Sequence, residues 1–366
     1  MTEKTYDFAI VGAGMAGASL AAELAPYASV LVLEAEDQPG YHATGRSAAF
    51  WEECYGGPEI VPLTLASGFF LREHGFLNQR GALYIGRNSD CGELDSFMER
   101  FGGSGVTIER LDTHALQAKI PGLRSEWCDG IWESACADID VAGLHAFYLS
   151  ASKVARAAIE CRARLTSATT AGGIWTLDTD DGRQYRAHRL INAAGAWADD
   201  IAAMAGCRQL GISPLRRTVV QLRTDPVPDA DLPLVLDISG GFYFKPENGR
   251  LWLSPHDEEL SAPCDAAPEE LAVAEAIDRF ECVVDWTIER VETKWAGLRS
   301  FAPDRLPVYG FDPVQPNFFW FAGQGGFGIQ TAPAAAGLAA AQLLGTSPDL
   351  GTEHIDTTKY LPERFG

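Results

Sequence analysis

The sequence is short of positive charge: 29 Lys and Arg stand against 50 Asp and Glu in 366 residues, a net charge of −21. Phosphate repulsion would dominate any approach to nucleic acid, and an anionic membrane surface would repel the chain in the same way. Paired cysteines are lacking too. Cys54, Cys91, Cys128, Cys136, Cys161, Cys207, Cys264 and Cys282 include no C-x-x-C spacing, which points to reduced intracellular thiols and away from a disulfide frame or a zinc site. No uncharged apolar run reaches spanning length, and the opening "MTEKTYDFAIVGAG" lacks the layout of a signal peptide. The expectation is therefore a cytoplasmic protein with no integral membrane segment and no metal. No repeat of fixed period and no low-complexity linker interrupts the chain. What remains is an ordinary globular balance, 46 % hydrophobic and 22 % charged, long enough for two domains with ample core.

Residues 6–12, "YDFAIVG", read as a short buried strand. "MAGASLAAELA" follows as a helix that Pro26 ends, and residues 29–35 read as a second buried strand. So compact a strand–helix–strand unit implies a parallel pair. Helical stretches are expected near 62–73, 92–101, 143–163 and 267–282. A hairpin is expected around Asp181-Gly182, alternating strands over 215–260, and a buried strand "FFWFAG" running through a glycine loop into a last helix near 330.

Gly12, Gly14 and Gly17 form G-x-G-x-x-G between the first strand and helix, and Glu34 closes the second strand. Gly12 permits the tight turn, Gly14 lets the backbone approach a pyrophosphate, and Gly17 lets the helix pack on the strand. The helix N-terminus favours the diphosphate, and Glu34 can accept ribose hydroxyls. An NAD enzyme would continue with a further strand and helix. Here "DQPGYHATGRSAA" follows instead. Small residues over 43–48 would let backbone amides lie against a ligand, with Arg46 and Ser47 as donors to a pyrophosphate and a flavin. Such a loop suits a flavin lying across a domain junction.

The motifs "VGAGMAGAS", "QPGYHATGRSAA", "DIDVAGLH", "INAAGAWAD", "PLRRT", "FYFKP", "WAGLRSFAPD" and "FFWFAGQGGFGIQT" resemble the D-amino acid oxidase and glycine oxidase superfamily. Within it they are similar to bacterial D-amino acid dehydrogenases of the D-arginine type, nearly end to end. The resemblance implies an α/β, two-domain fold: a Rossmann-like FAD domain from residues 1–50, 141–212 and 300–366, and an inserted substrate domain from 51–140 and 213–299 built on a large antiparallel sheet. It implies cofactor contacts at Gly12, Gly14, Gly17, Glu34, Thr44, Gly45, Arg46, Ser47, Ala48, Ala194, Gly195, Trp197, Arg299, Gly325, Gly326, Gly328, Ile329, Gln330 and Thr331. FAD is expected to be noncovalent, because no cysteine lies near "SFAPDRLPVYG" and noncovalent relatives share His42.

Oxidation at an amino acid needs a grip on the carboxylate, which arginine's planar fork provides. Arg217 and Arg299 match the family motifs. Arg216 and Arg217 face opposite sides of a strand, and periodicity alone does not choose between them; the resemblance selects Arg217. Tyr55 and Tyr243 match positions where phenols bond the substrate carboxylate. The expected reaction is deamination of a D-amino acid to a 2-oxo acid and ammonia, by hydride transfer from the α carbon to flavin N5. Ala82, Phe50 and Glu52 depart from the D-arginine type and favour a small or apolar side chain, although Glu52 could serve a basic one from another wall. "RLWLSPH" lacks the lysine that promotes oxygen reaction in sarcosine oxidases, which points to a quinone or another carrier as electron acceptor ahead of oxygen. Oxidation of a secondary amine such as sarcosine, glycine or an imino acid, or of a 2-hydroxy acid, stays open on the same clamp. So does a non-catalytic flavoprotein subunit of a larger assembly.

Overall fold

The computed structural model describes residues 4–48, 50–349 and 351–366. β1 (Thr5–Val11) ends in four successive buried residues, and β2 (Val30–Leu33) is buried throughout, as strands covered on both faces must be. Between them lies α1 (Met15–Leu24). β1 pairs in parallel with β2 and with Gln184–Asn192, setting Ile10 beside Val32 and Ile191. Phe318–Ala322 and Ala158–Glu160 extend this parallel array at its two ends. Alternation sorts the side chains. Ile10, Val32, Ile191 and Phe319 pack under α1 and the helix Ala332–Leu344, while Ala9, Leu31, Leu190 and Phe318 enter the core on the other face. Each valine, leucine, isoleucine or phenylalanine side chain among these contributes about 1.5–3 kcal/mol by leaving water.

The second sheet has ten strands. Its spine is the antiparallel pair Ser213–Asp225 and Thr287–Phe301, paired from Ser213 opposite Phe301 to Asp225 opposite Thr287, with register shifts after Gln221 and after Arg223. One pair departs from the antiparallel expectation: Leu234–Asp237 runs parallel to Ala82–Arg87, joined by a long excursion of chain rather than a hairpin. A small third sheet sets Ala137–Ile139 between Phe50–Trp51 and Leu77–Gln79.

One helical expectation is corrected. The run over 143–163 is helix only through Val154; Ala158–Glu160 is a strand on the edge of β2, reached through Arg156 at φ 69°. The alanine-rich sequence favours helix, but the unpaired backbone groups on that edge make the stronger demand. Among the described residues all eight cysteines are free thiols, and no helix is long and apolar enough to cross a membrane.

Candidate active site

The glycine turn is a cradle that side chains would fill. Gly12 sits at φ +101°, where a Cβ would lie 2.5 Å from the Ala193 carbonyl oxygen, and a Cβ on Gly17 would lie 1.9 Å from the Gly12 oxygen. Gly14 caps α1 with no side-chain bond, so the positive end of the helix opens beside it. Glu34 is buried: Oε2 accepts from Ala13 N at 2.8 Å and Oε1 from Glu36 N at 3.0 Å, which leaves each oxygen a further lone pair. Met15 N donates to Thr44 Oγ1 at 2.9 Å, tying the 41–48 loop to the helix. His145 Nε2 donates to the Ala13 carbonyl at 2.9 Å, and burial holds the imidazole below its ordinary pKa.

From this turn a cavity of about 480 Å³ runs past Thr44, Arg46, Ser47, Ala48, Ala194, Gly195 and Trp197 to Arg217, Arg299, Gly325, Gly326, Gly328 and Ile329. An acid and an open helix end at one extremity, glycines along the walls and cations at the other fit an extended dinucleotide, and the volume is that of a ligand site. Four expected contacts do not line this cavity. Gly17 packs beneath the turn, and Gly45 N donates to the Gly40 oxygen at 2.8 Å. Gln330 spends its amide on Glu52 O at 3.1 Å, Glu52 N at 3.3 Å and Thr64 Oγ1 at 2.9 Å, reaching only the recess beside the main cavity. Thr331 donates to the Phe327 oxygen at 2.9 Å and precedes the helix Ala332–Leu344. Arg46 lines the wall, but its guanidinium is held by Asp265, by Ala266 O at 2.9 Å and by Ala296 O at 3.3 Å.

At the far end, sheet register assembles the arginines. Arg217 lies opposite Gly297 and Leu215 opposite Arg299, so the two guanidiniums are diagonal neighbours on one face. Arg216 turns to the other face and pairs with Glu269 at 2.7 Å. Arg217 is 3 % exposed. Its Nε donates to Asp257 O at 2.8 Å and its Nη2 to Glu258 Oε1 at 3.2 Å, while Nη1 has no partner among the described residues. Burial, reinforced by the neighbouring Arg299 charge, pushes its pKa down to about 10. Arg299 Nη1 donates to Tyr55 Oη at 2.8 Å. Burial works against this charge, but the phenols of Tyr55 and Tyr243 and the Glu258 carboxylate leave its pKa above the ordinary value. The Tyr243 hydroxyl adjoins it, buried and without a well-formed hydrogen bond. Phe50 stands 5.9 Å from Tyr55 and 5.7 Å from Tyr243 between ring centroids.

Several participants escaped the sequence reading. Asp257 and Glu258 steady Arg217, and the Asp257 carboxylate accepts from Thr218 N at 2.7 Å and Thr218 Oγ1 at 2.8 Å. His256, at φ 57°, approaches Tyr243 at 5.8 Å between centroids. Burial and the two guanidiniums push its pKa down to about 3, so it stays neutral. Cys264 lines the cavity. The cluster "SPHDEE" was the available signal for the first three, since a cation on the neighbouring strand needs acceptors.

The family model described as FAD dependent oxidoreductase (DAO) matches residues 7–342. FAD-dependent oxidoreductase domain-containing protein 1 of Xenopus laevis is 25 % identical, over 98 % of this chain and 82 % of its own. Rat mitochondrial dimethylglycine dehydrogenase is 26 % identical over 51 % of this chain, which spans 24 % of that protein. Glycine oxidase from Geobacillus kaustophilus shares the fold at a TM-score of 0.85, with 22 % identity over 98 % of both chains.

Proposed function

The chain belongs to the DAO family of FAD-dependent oxidoreductases, and from that premise we propose that it deaminates D-amino acids to 2-oxo acids and ammonia. Its cofactor is FAD. The Gly12 turn, Glu34 and the Trp197 wall would hold it, and when bound it accepts a hydride from the substrate's α carbon.

The observation that carries the reading is Arg217 Nη1, buried and without a partner among the described residues, with the buried Tyr243 Oη, which has no well-formed hydrogen bond among them, beside the Arg299–Tyr55 hydrogen bond. A substrate carboxylate set there relieves the repulsion between the guanidiniums and fills both vacancies, which orients the α carbon into the cavity. The rings of Phe50, Tyr55 and Phe327 exclude water from that carbon; Tyr55 and Phe327 stand 6.2 Å apart between centroids. Neutral His256 takes no charge. The substrate loses a hydride from its α carbon and a proton from its nitrogen, and an amine that arrives neutral needs no obligatory base for this. Water then converts the imine to the 2-oxo acid and ammonia.

A second reading, oxidation of glycine or a small secondary amine such as sarcosine, is favoured by the recess beside Phe50, Tyr55 and Ile329, whose open volume is about 10 Å³. The names of dimethylglycine dehydrogenase and glycine oxidase point the same way. We further propose noncovalent FAD, a quinone or similar carrier as acceptor, a cytoplasmic setting, and an FAD domain of residues 1–50, 141–212 and 300–366 with the remainder carrying substrate.

Anaerobic mixing with D- and L-alanine, glycine and sarcosine tests this. D-alanine should bleach the flavin and L-alanine should not. Bleaching by sarcosine alone selects the second reading, and none across amines and 2-hydroxy acids removes both. Turnover with a dye beside an oxygen electrode tests the acceptor, and full release of FAD on acid precipitation tests the noncovalent bond.

A further inference from the structure

We propose that Glu52 and Glu133 form a buried acid–carboxylate pair that shares one proton and thereby positions Tyr55 in the substrate clamp. The part that concerns the clamp rests on the function proposed above.

Both side chains are fully buried. They converge on a single amide: Cys54 N donates to Glu52 Oε1 at 3.0 Å and to Glu133 Oε2 at 3.4 Å. Glu133 Oε1 also accepts from Glu53 N at 2.7 Å. Glu133 thus accepts from two backbone donors, whereas Glu52 accepts from one, and its Oε2, on the side chain that the Tyr84 phenol faces, has no well-formed hydrogen bond among the described residues. Two carboxylates this close in a dry interior do not both stay ionised. A proton on Glu52 Oε2, donated toward Glu133, satisfies the orphaned atom and removes the repulsion. Burial first, then the Glu133 charge, hold the Glu52 carboxyl well above its ordinary pKa.

Among the described residues, no cation stands among the groups that act on Glu52 to replace that proton. Glu53 and Cys54 face the pair from its own segment, Tyr84 from Ala82–Arg87, and Cys136 from the chain beyond Glu133. Burial and the carboxylates keep the thiols of Cys54 and Cys136 and the Tyr84 phenol protonated. Lys245 acts on Cys136 from farther off but is committed to Asp138 at 2.7 Å and Glu247 at 3.1 Å. Arg72 reaches Glu53 and lies over the Trp51 ring at 4.3 Å.

The pair is connected to the clamp through a few atoms. It pins the N–H groups of Glu53 and Cys54, and Tyr55 N donates to Glu52 O at 3.3 Å. Tyr55 Oη is then the acceptor for Arg299. Loss of the shared proton would put a second uncompensated charge at Glu52, drive it from the interior and draw this turn away from Arg299. Glu52 and Glu133 are therefore positioning residues.

The test uses the FAD-loaded protein and acetate as a probe of the clamp, read from the flavin absorbance, with infrared difference spectra beside it. The wild type should show the carbonyl stretch of a protonated carboxylic acid at neutral pH. Acetate affinity should fall about tenfold as that band titrates away, the loss of one hydrogen bond to a charged group. Glu52→Gln should lack the band and hold its acetate affinity through the same pH range. Glu133→Gln should move loss of the band to lower pH, because the second charge is gone; it serves if the first variant fails to fold. A band that persists in Glu52→Gln, or an unchanged pH course of acetate binding in the variants, overturns the proposal. If band and acetate behave as stated but no amine bleaches the flavin, the proposed function fails and the proton pair stands.

Discussion

Replacing Arg217 by Ala tests the clamp most directly, because its proposed binding role is separable from its structural one. Truncation removes the unpartnered Nη1 and the bonds to Asp257 O and Glu258. The fold should survive. The Asp257 carboxylate keeps both of its Thr218 donors, and Glu258 keeps Arg305 at 2.9 Å. For the substrate, one lost hydrogen bond to a charged group is worth about 1.5–3 kcal/mol. Arg299 gains slightly in return, since its repelling neighbour is gone. A net loss of about 2 kcal/mol corresponds to roughly a thirtyfold rise in KM, at 1.4 kcal/mol per factor of ten. Arg217→Lys should fall between, keeping the charge without the fork. Steady-state KM with a dye acceptor, beside the flavin absorbance per protein, checks both halves. An unchanged KM in a protein that still holds FAD would refute the reasoning.

Gly12→Ala would place a methyl 2.5 Å from the Ala193 oxygen at φ +101°. Backbone strain of about 1–3 kcal/mol should lower Tm and give substoichiometric FAD, measured by melting and by the flavin-to-protein absorbance ratio. Gly326→Ala sets a Cβ 1.8 Å from Tyr55 Oη and 3.1 Å from Arg299 Nη1. It should raise KM about tenfold, through loss of the phenol's charge-assisted bond, while FAD stays bound; steady-state kinetics beside the flavin absorbance checks it. Asp265→Asn removes the charge partner of Arg46 across the cavity mouth. FAD should dissociate about two- to fivefold more readily, an effect that salt abolishes; fluorescence of released FAD measures it.

The parts legible in the sequence were those whose causes are local. The glycine turn, the buried strands around it and the Asp181-Gly182 hairpin each follow from neighbours a few positions away. Arg46 shows where this ends. Its sequence setting suggests a pyrophosphate donor, but its partners Asp265, Ala266 and Ala296 lie 219 to 250 residues downstream, and nothing near Arg46 announces them. Gln330 is similar, since the acceptors of its amide come from 266 to 278 residues earlier in the chain. The strand at Ala158–Glu160 was missed because an edge in search of a partner leaves no trace in its own helix-favouring residues. Arg217 is the middle case: adjacency to Arg216 showed that one of the two faces inward, the family resemblance selected Arg217, and pairing with Thr287–Phe301 is the physical cause that turns it inward.

Under the proposed function, that pairing would also give the clamp its selectivity. A one-residue slip between Ser213–Asp225 and Thr287–Phe301 would turn Arg216 inward and bury it without Asp257 or Glu258. The observed register instead holds two cations together, with phenols to support one and carbonyl and carboxylate oxygens to support the other, and leaves the buried Arg217 Nη1 without a partner among the described residues. The protein bears that repulsion through its many ladder hydrogen bonds, and an anion in the gap recovers it. A neutral amine of equal size gains no such relief. Under the proposed function the clamp would therefore discriminate by charge at the substrate's acid end, and Phe50 by bulk at the other; the first would be fixed by sheet register, the second by one replaceable ring.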